Sequence, residues 1–590
     1  MTTRRTRSAL RRLCGVALAL CLAAPALPAA AQTRADPETA SPRIAAPLAR
    51  ASRHMIAAAH PLAAEAGLEM LRRAGSAADA AIAALLVLNV VEPQSSGLGG
   101  GAFALVHGGG ALTSFDARET APMSATPELF IEGGETLGFL DAVASGHSVG
   151  VPGLPRLMAV LHARYGRLPW AELFAPATAL ARDGFPVSPR LAASVQAFAD
   201  RLAASEAAAV FLPDGAPLAA GTLLRQPALA DTLARLASDG ADAFYGGPLA
   251  DEIVASVARE PRPGGLTVED IAAYEVIERA PVCIDYHEAW RVCGMGPPSS
   301  GATTVGQILG LMDRAGTRGL RLDGTLLWHH FAEASRLAYA DRARYLADPD
   351  QIRVPLRGLM DDGYLRGRAK MIPRFAASTG EAEAGTPPWR ESALHAPDRQ
   401  LGRPGTTHLS VVDGEGLALS ITASIETAFG SGRMAGGFLL NNQLTDFSFR
   451  PVGKDGAPIV NAPGPGKRPR SSMAPTIVYR LGELDTPAVI AGSPGGSRIP
   501  EYVAGALVAI LDHGLDPAAA AARGHVSQRN LDAVVLEAGA HDPALVAGLE
   551  AMGHTVEEAE MTSGLHIITR TADGWEGGAD PRREGVALGD

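Results

Sequence analysis

A layered α/β protein with a largely antiparallel sheet is the fold class that the residue pattern predicts. Three features point to it: strands precede helices in each half of the chain, strand-like runs alternate and reverse through short turns, and the stretches between them carry helical apolar spacing. Residues 61–75 and 77–90 combine that spacing with the strong helix formers Ala, Leu and Glu. Residues 102–106 and 111–115, separated by His107-Gly108-Gly109-Gly110, read as a β-hairpin. Residues 154–257 are mostly helical in pattern, 280–294 return to strand character, and 325–347 form another helix. From Thr406 onward, Thr407, Leu409 and Val411 alternate with polar residues, Asp413-Gly414-Glu415-Gly416 turns the chain, and Leu417, Leu419 and Ile421 alternate again. That is a second hairpin, and its first strand begins at Thr406.

The N-terminus has the layout of a cleavable secretory leader over residues 1–31. Arg4, Arg5, Arg7, Arg11 and Arg12 precede an apolar run from 13 to 24, and small residues Ala29-Ala30-Ala31 follow. The run is too short to predict a membrane span, and no other stretch is long and apolar enough. A periplasmic or secreted bacterial location is expected. Five arginines and no acidic residue leave with the leader, so the formal charge falls from −11 to about −16. So acidic a chain disfavours sequence-independent nucleic-acid binding. Cys14 and Cys21 also leave, while Cys283 and Cys293 remain on either side of a turn-like segment. In an oxidising compartment these two are compatible with a cross-strand disulfide or with two buried thiols. A chain of 590 residues suggests three or four domains, yet no repeat, low-complexity linker or charge run marks a boundary. The most loop-like tracts are 378–405 and 450–470, and the first ends directly before Thr406.

An internal threonine hydroxyl is a weak nucleophile. Cutting the Gly405–Thr406 bond would free an α-amine of reference pKa about 7.7–8.0 beside that hydroxyl, able to take its proton. Three other motifs fail on context. Gly97-Leu98-Gly99-Gly100-Gly101-Ala102 fits a dinucleotide fingerprint in letter, but a helix precedes it and a strand follows. Gly492-Ser493-Pro494-Gly495 approximates a nucleophile elbow, but Ala491 replaces the first glycine and Pro494 lacks the N–H an oxyanion would need. His329-His330-x-x-Glu333 does not read as a metal site, since adjacent helical histidines point about 100° apart. Gly495 and Gly496, by contrast, offer two adjacent, unhindered N–H groups to an oxyanion.

Several polar residues form a chemically coherent set. Arg118, Ser471 and Ser472 suit a carboxylate, and Glu426, Asp446 and Gln443 suit an ammonium. A zwitterionic amino-acid head group uses both.

From about residue 51 to the C-terminal end the chain resembles the gamma-glutamyltransferase (gamma-glutamyltranspeptidase) family of N-terminal nucleophile hydrolases. The resemblance rests on ordered motifs: Val91-Glu92-Pro93-Gln94-Ser95-Ser96-Gly97, Asp116-Ala117-Arg118-Glu119, Pro297-Pro298-Ser299-Ser300-Gly301, Thr406-Thr407-His408, Leu440-Asn441-Asn442-Gln443, Arg468-Pro469-Arg470-Ser471-Ser472-Met473, Gly492-Ser493-Pro494-Gly495-Gly496 and Asp580-Pro581-Arg582-Arg583. It implies a four-layer αββα sandwich, cleaved before Thr406 into a large subunit (32–405) and a small one (406–590) that stay together as a heterodimer. Thr406 is then the implied nucleophile, Ser424 its positioning hydroxyl, and Gly495 and Gly496 the oxyanion hole. Arg118, Ser471 and Ser472 would hold the substrate α-carboxylate; Glu426, Gln443 and Asp446 would hold its α-ammonium. The implied reaction cleaves the γ-glutamyl amide of glutathione and related compounds, passing the acyl group to water, an amino acid or a peptide. No metal or organic cofactor is implied. The alternatives are an acylase of the same scaffold acting on acylated β-lactams or poly-γ-glutamate and, from another class, an inactive secreted binding protein. Ser424 stands where threonine is common, and segment 447–466 has Phe447 and Phe449 but no Tyr or Trp to cover the substrate, which implies a more open site.

Overall fold

A computed structural model describes residues 43–390, 395–400 and 405–590. The expected leader, 1–31, lies outside them, and so does part of the loop-like tract 378–405.

Two seven-stranded sheets form the centre. In chain order their strands are β1 (Ala49–Ala51), β2 (Met55–Ala58), β3 (Gly101–Gly108), β4 (Ala111–Ala117), β5 (Ile277–Arg279), β6 (Val282–Tyr286), β7 (Trp290–Gly294), β8 (Thr406–Val412), β9 (Ala418–Ser424), β10 (Thr476–Arg480), β11 (Val489–Gly492), β12 (His566–Thr571), β13 (Gly574–Ala579) and β14 (Val586–Gly589). The first sheet runs β14-β2-β8-β9-β3-β4-β5 and the second β1-β13-β12-β11-β10-β7-β6. Every neighbouring pair in both is antiparallel.

Strand alternation sorts side chains into layers. Ile56, Ala58, Leu409, Val411, Leu419 and Ile421 join a core with helices α1 (Pro61–Arg72) and α2 (Ala77–Val91). Met55, Ala57, Val412 and Ala418, of opposite parity, meet Ile477, Ile490 and Ile568 of the second sheet. The outer face of that sheet packs on α3 (Gly301–Arg314), α4 (Thr325–Tyr345) and α5 (Ile499–Leu511). The result is helix, sheet, sheet, helix.

Local chemistry explains the elements that carry the site. Ser76 and Asp79 form a reciprocal capping box at the start of α2, which is apolar nearly all round and buried along its whole length. The β8–β9 turn is held by Asp413 Oδ1, which accepts from Glu415 N and Leu417 N at 2.9 and 3.0 Å, while Gly416 takes φ +87°. Cys283 and Cys293 lie directly opposite in the β6–β7 register and are joined as a disulfide. Among the described residues no helix is long and apolar enough to cross a membrane.

Candidate active site

Thr406 opens β8 and Ser424 closes β9, and the register sets them opposite each other. Two residues along, His408 stacks on His566 and Ser410 Oγ donates to the His566 carbonyl, so this parity faces the second sheet. Thr406 therefore sits at one end of the intersheet layer. Its hydroxyl donates to Ser424 Oγ at 3.3 Å, and Ser424 Oγ donates to the Gly405 carbonyl oxygen at 2.9 Å. Glu426 N also donates to Ser424 Oγ, at 2.8 Å. One serine thus links the Thr406 hydroxyl to the carbonyl immediately upstream. Glycine is required at 405, where a Cβ would lie 1.9 Å from the Glu426 carbonyl oxygen. Beneath the strand, Thr407 Oγ1 donates to Glu92 at 3.2 Å and the buried Arg583 donates to the Thr406 carbonyl at 3.1 Å.

The head-group residues converge on the same place. Arg118, fully buried after β4, donates to Pro469 O at 3.1 Å and Arg470 O at 3.2 Å, and pairs with Asp446. Gln443 Nε2 donates to Asp446 at 3.1 Å, which leaves Gln443 Oε1 as a buried acceptor without a hydrogen bond. Glu426 adopts φ +79°, unusual for a residue with a Cβ, and Asn442 Nδ2 donates to its Oε2 at 2.9 Å. Ser471 is fastened to Pro298 and Ser300 through its backbone. Ser472 Oγ accepts from Arg342 at 2.7 Å. Burial, assisted by the like charge of Arg470, lowers the Arg342 guanidinium to about 9. Behind Arg118, burial raises the Glu119 carboxyl to about 8 against the pull of the Arg118 charge, and neither of its oxygens is hydrogen-bonded.

Most of the expected site residues line one cavity. Its lining includes Thr406, Ser424 and Gly496 together with Arg118, Ser471, Ser472, Glu426, Gln443 and Asp446. Of the expected site residues, Gly405 and Gly495 are set back from the lining. Gly495 takes φ +134°, and a Cβ there would fall 2.4 Å from Tyr502. Gly495 and Gly496 introduce a short 3-10 turn that runs straight into α5, and Gly496 and the first helical residue, Ile499, both line the cavity.

The arrangement brings together a hydroxyl, a second hydroxyl aimed at the adjacent carbonyl, and an Arg118–Asp446 pair with further polar groups around it. A scan against family models matches gamma-glutamyltranspeptidase over residues 63–590. The chain belongs to the gamma-glutamyltranspeptidase family. Among curated proteins it is 36% identical over 551 residues to the glutathione hydrolase proenzyme of Escherichia coli, covering 90% of this chain and 91% of the relative. It is 34% identical over 549 residues to that of Bacillus subtilis, covering 91% of each. Among solved structures it resembles a cephalosporin acylase from Bacillus halodurans, with TM-score 0.82 and 30% identity over 94% of this chain and 99% of that one. The αββα sandwich is the N-terminal nucleophile hydrolase fold.

The glycine run set aside on context has a structural role in this family member. A Cβ on Gly100 would meet Ser424 O at 2.1 Å, and one on Gly99 would meet Leu439 O at the same distance, so the glycine run lets backbones touch behind the site. His408 is buried, held well below its ordinary pKa by desolvation, and bonded to Thr422 and Ser410 rather than to Thr406. Phe447 and Phe449 do not roof the cavity. Phe447 is buried against Ala121 and Phe130, and Phe449 stacks on Phe130 with ring centroids 4.4 Å apart. Sequence reasoning assigned no role to Asn442, Arg342, Arg583 or Glu92, which brace the site. Glu92, Asn442 and Arg583 lie within the motifs of the resemblance, whereas Arg342 had only its charge on a helix to mark it.

Proposed function

We propose that this protein is an autoprocessed γ-glutamyl hydrolase or transpeptidase whose nucleophile is Thr406. The observation that carries the reading is the Thr406–Ser424–Gly405 chain of contacts at the end of a cavity that also presents a zwitterion cradle. In processing, Thr406 Oγ1 attacks the Gly405 carbonyl carbon while Ser424 supports the developing oxyanion. The C–N bond to Thr406 breaks, the hydroxyl proton passes to the departing nitrogen, and water hydrolyses the resulting ester. Residues 32–405 and 406–590 remain associated, since both contribute strands to both sheets.

The freed Thr406 amine then acts as base for its own hydroxyl. Arg118, Ser471 and Ser472 take the substrate α-carboxylate, and Glu426, Asp446 and the free oxygen of Gln443 take its α-ammonium. This places the γ-carbonyl at Thr406, with Gly495 and Gly496 donating to the tetrahedral oxyanion. The γ-glutamyl ester so formed passes to water or to the amine of an amino acid or peptide. No metal or organic cofactor enters these steps. The leader-like N-terminus supports export to the periplasm or beyond. The processed protein should release the chromophore of a γ-glutamyl anilide, and Thr406→Ala should show neither cleavage nor release. Silence of the fully processed protein toward the anilide would overturn the substrate class.

A second reading, acylated β-lactams as substrate, is favoured by the similarity to the cephalosporin acylase and by a cavity without an aromatic roof. Faster turnover of an acyl-cephalosporin than of the γ-glutamyl anilide would select it.

A further inference from the structure

Far from the cavity, on the outer helical layer, lies a cluster that takes no part in this chemistry. His329 and Glu333 stand one turn apart on α4, a spacing that stacks their side chains on one helix face. His554, from the loop after helix α6 (Pro543–Ala551), meets them. His329 Nδ1 and His554 Nε2 are 2.7 Å apart, and one ligand atom from each of the three residues lies within 4.8 Å of the others. The neighbouring His330 turns away: its Nδ1 meets Leu326 O at 2.8 Å and its ring stands at 84° to that of His329. The adjacent pair does not converge, and the partner of His329 is instead a residue 225 positions away.

From this convergence we infer that His329, Glu333 and His554 form a binding site for a divalent transition-metal ion of the zinc type. Two nitrogens and one carboxylate oxygen are an established zinc donor set with a fourth position left for water. The surroundings are those of oriented ligands. His329 Nε2 lies 2.7 Å from the Pro373 carbonyl, so this nitrogen carries the proton and Nδ1 presents its lone pair toward the cluster. The Glu333 carboxylate accepts from Ser378 N at 3.0 Å and Ser378 Oγ at 2.7 Å, and Arg336 approaches it at 3.3 Å. Those three partners leave about one of the roughly four carboxylate lone-pair sites for a metal. A tetrahedral ion with bonds of about 2.0–2.1 Å holds its ligand nitrogens about 3.3–3.4 Å apart. Binding therefore needs His554, partly exposed on its loop, to move outward by roughly 0.6 Å. His329 and Glu333 precede residue 405 and His554 follows it, so after cleavage the ion would tie the large subunit to the small one.

The test is Co²⁺ titration of the purified, processed enzyme after chelator treatment and desalting, followed by optical spectroscopy and then displacement with Zn²⁺. One equivalent of Co²⁺ should produce the visible d–d bands of a four- or five-coordinate ion, and Zn²⁺ should abolish them. His554→Ala and Glu333→Gln should lose the bands, while Ser378→Ala, which removes only a supporting hydroxyl, should weaken binding about 10–100-fold. γ-Glutamyl anilide turnover, read in each variant, reports that the protein is folded and should stay near wild type. Absence of the bands in the wild-type enzyme, or bands that persist in folded His554→Ala, would overturn the site and leave a hydrogen-bonded His329–His554 pair.

Discussion

Two hydroxyls in this molecule stand at strand ends beside glycine, and they have opposite fates. Ser493 follows β11 in a strand–turn–helix setting much like a nucleophile elbow. Yet its Oγ is fully buried, donates to the Pro494 carbonyl at 2.7 Å and accepts from Gly564 N at 3.1 Å. Thr406 also has one near neighbour, but that neighbour is a second hydroxyl aimed at a carbonyl, and both face a cavity lined by charged groups. Residue type and strand position are shared. What separates the two hydroxyls is the cavity in front of Thr406 and the polar groups that line it.

Substitutions can break this contrast, beginning with the strongest. Ser424→Ala removes the donor to the Gly405 carbonyl and should slow self-cleavage about 10²–10³-fold, followed by gel separation of the two fragments over time. Ser424→Thr, which keeps the hydroxyl, should cleave nearly normally; equal rates for the two variants would remove Ser424 from the process. Arg118→Ala removes the ion pair of Asp446, leaving it only the Gln443 amide, and deletes the proposed carboxylate anchor. It should cost about 2 kcal/mol or more in kcat/KM, roughly 30-fold, expressed mainly in KM. Ser493→Ala should leave processing and turnover intact and lower stability by about 1–2 kcal/mol, because two buried polar groups lose a partner. Loss of cleavage in that variant would mean the two hydroxyls are not so different.

A further effect is one of pH. Glu119 is raised to about 8 in the folded protein by burial, above an unfolded value near 4.3. The folded state therefore binds the extra proton between these values. Its stabilising contribution is complete below about pH 4 and declines by at most about 1.4 kcal/mol per pH unit until it is lost above about 8. Glu119→Gln should flatten the denaturant-measured stability profile over that window; an unchanged slope would show that the carboxyl is ionised throughout.

The contrast also shows how far residues alone carry the reading. Both hairpins, α2 and α4 were legible because alternation and helical spacing are local, and Gly405-Thr406 stood out at the head of a strand. The cradle could be assembled as a set of charges, because a zwitterion demands both signs. Other features depend on contacts across long sequence distances. The burial of Phe447 and Phe449 depends on Phe130, more than 300 positions earlier. Arg342 reads as one more helix charge until the fold brings Ser300 and Ser472 to it. His329 looked like half of a mismatched pair because His554 lies at the far end of the chain.

The central claim is that the Gly405–Thr406 bond is the one this protein cuts in itself, and N-terminal sequencing of the purified protein tests it most directly. The account predicts a small fragment that begins Thr406-Thr407-His408, in equal amount with a large fragment. A single uncut chain, or a fragment beginning at any other residue, would contradict it.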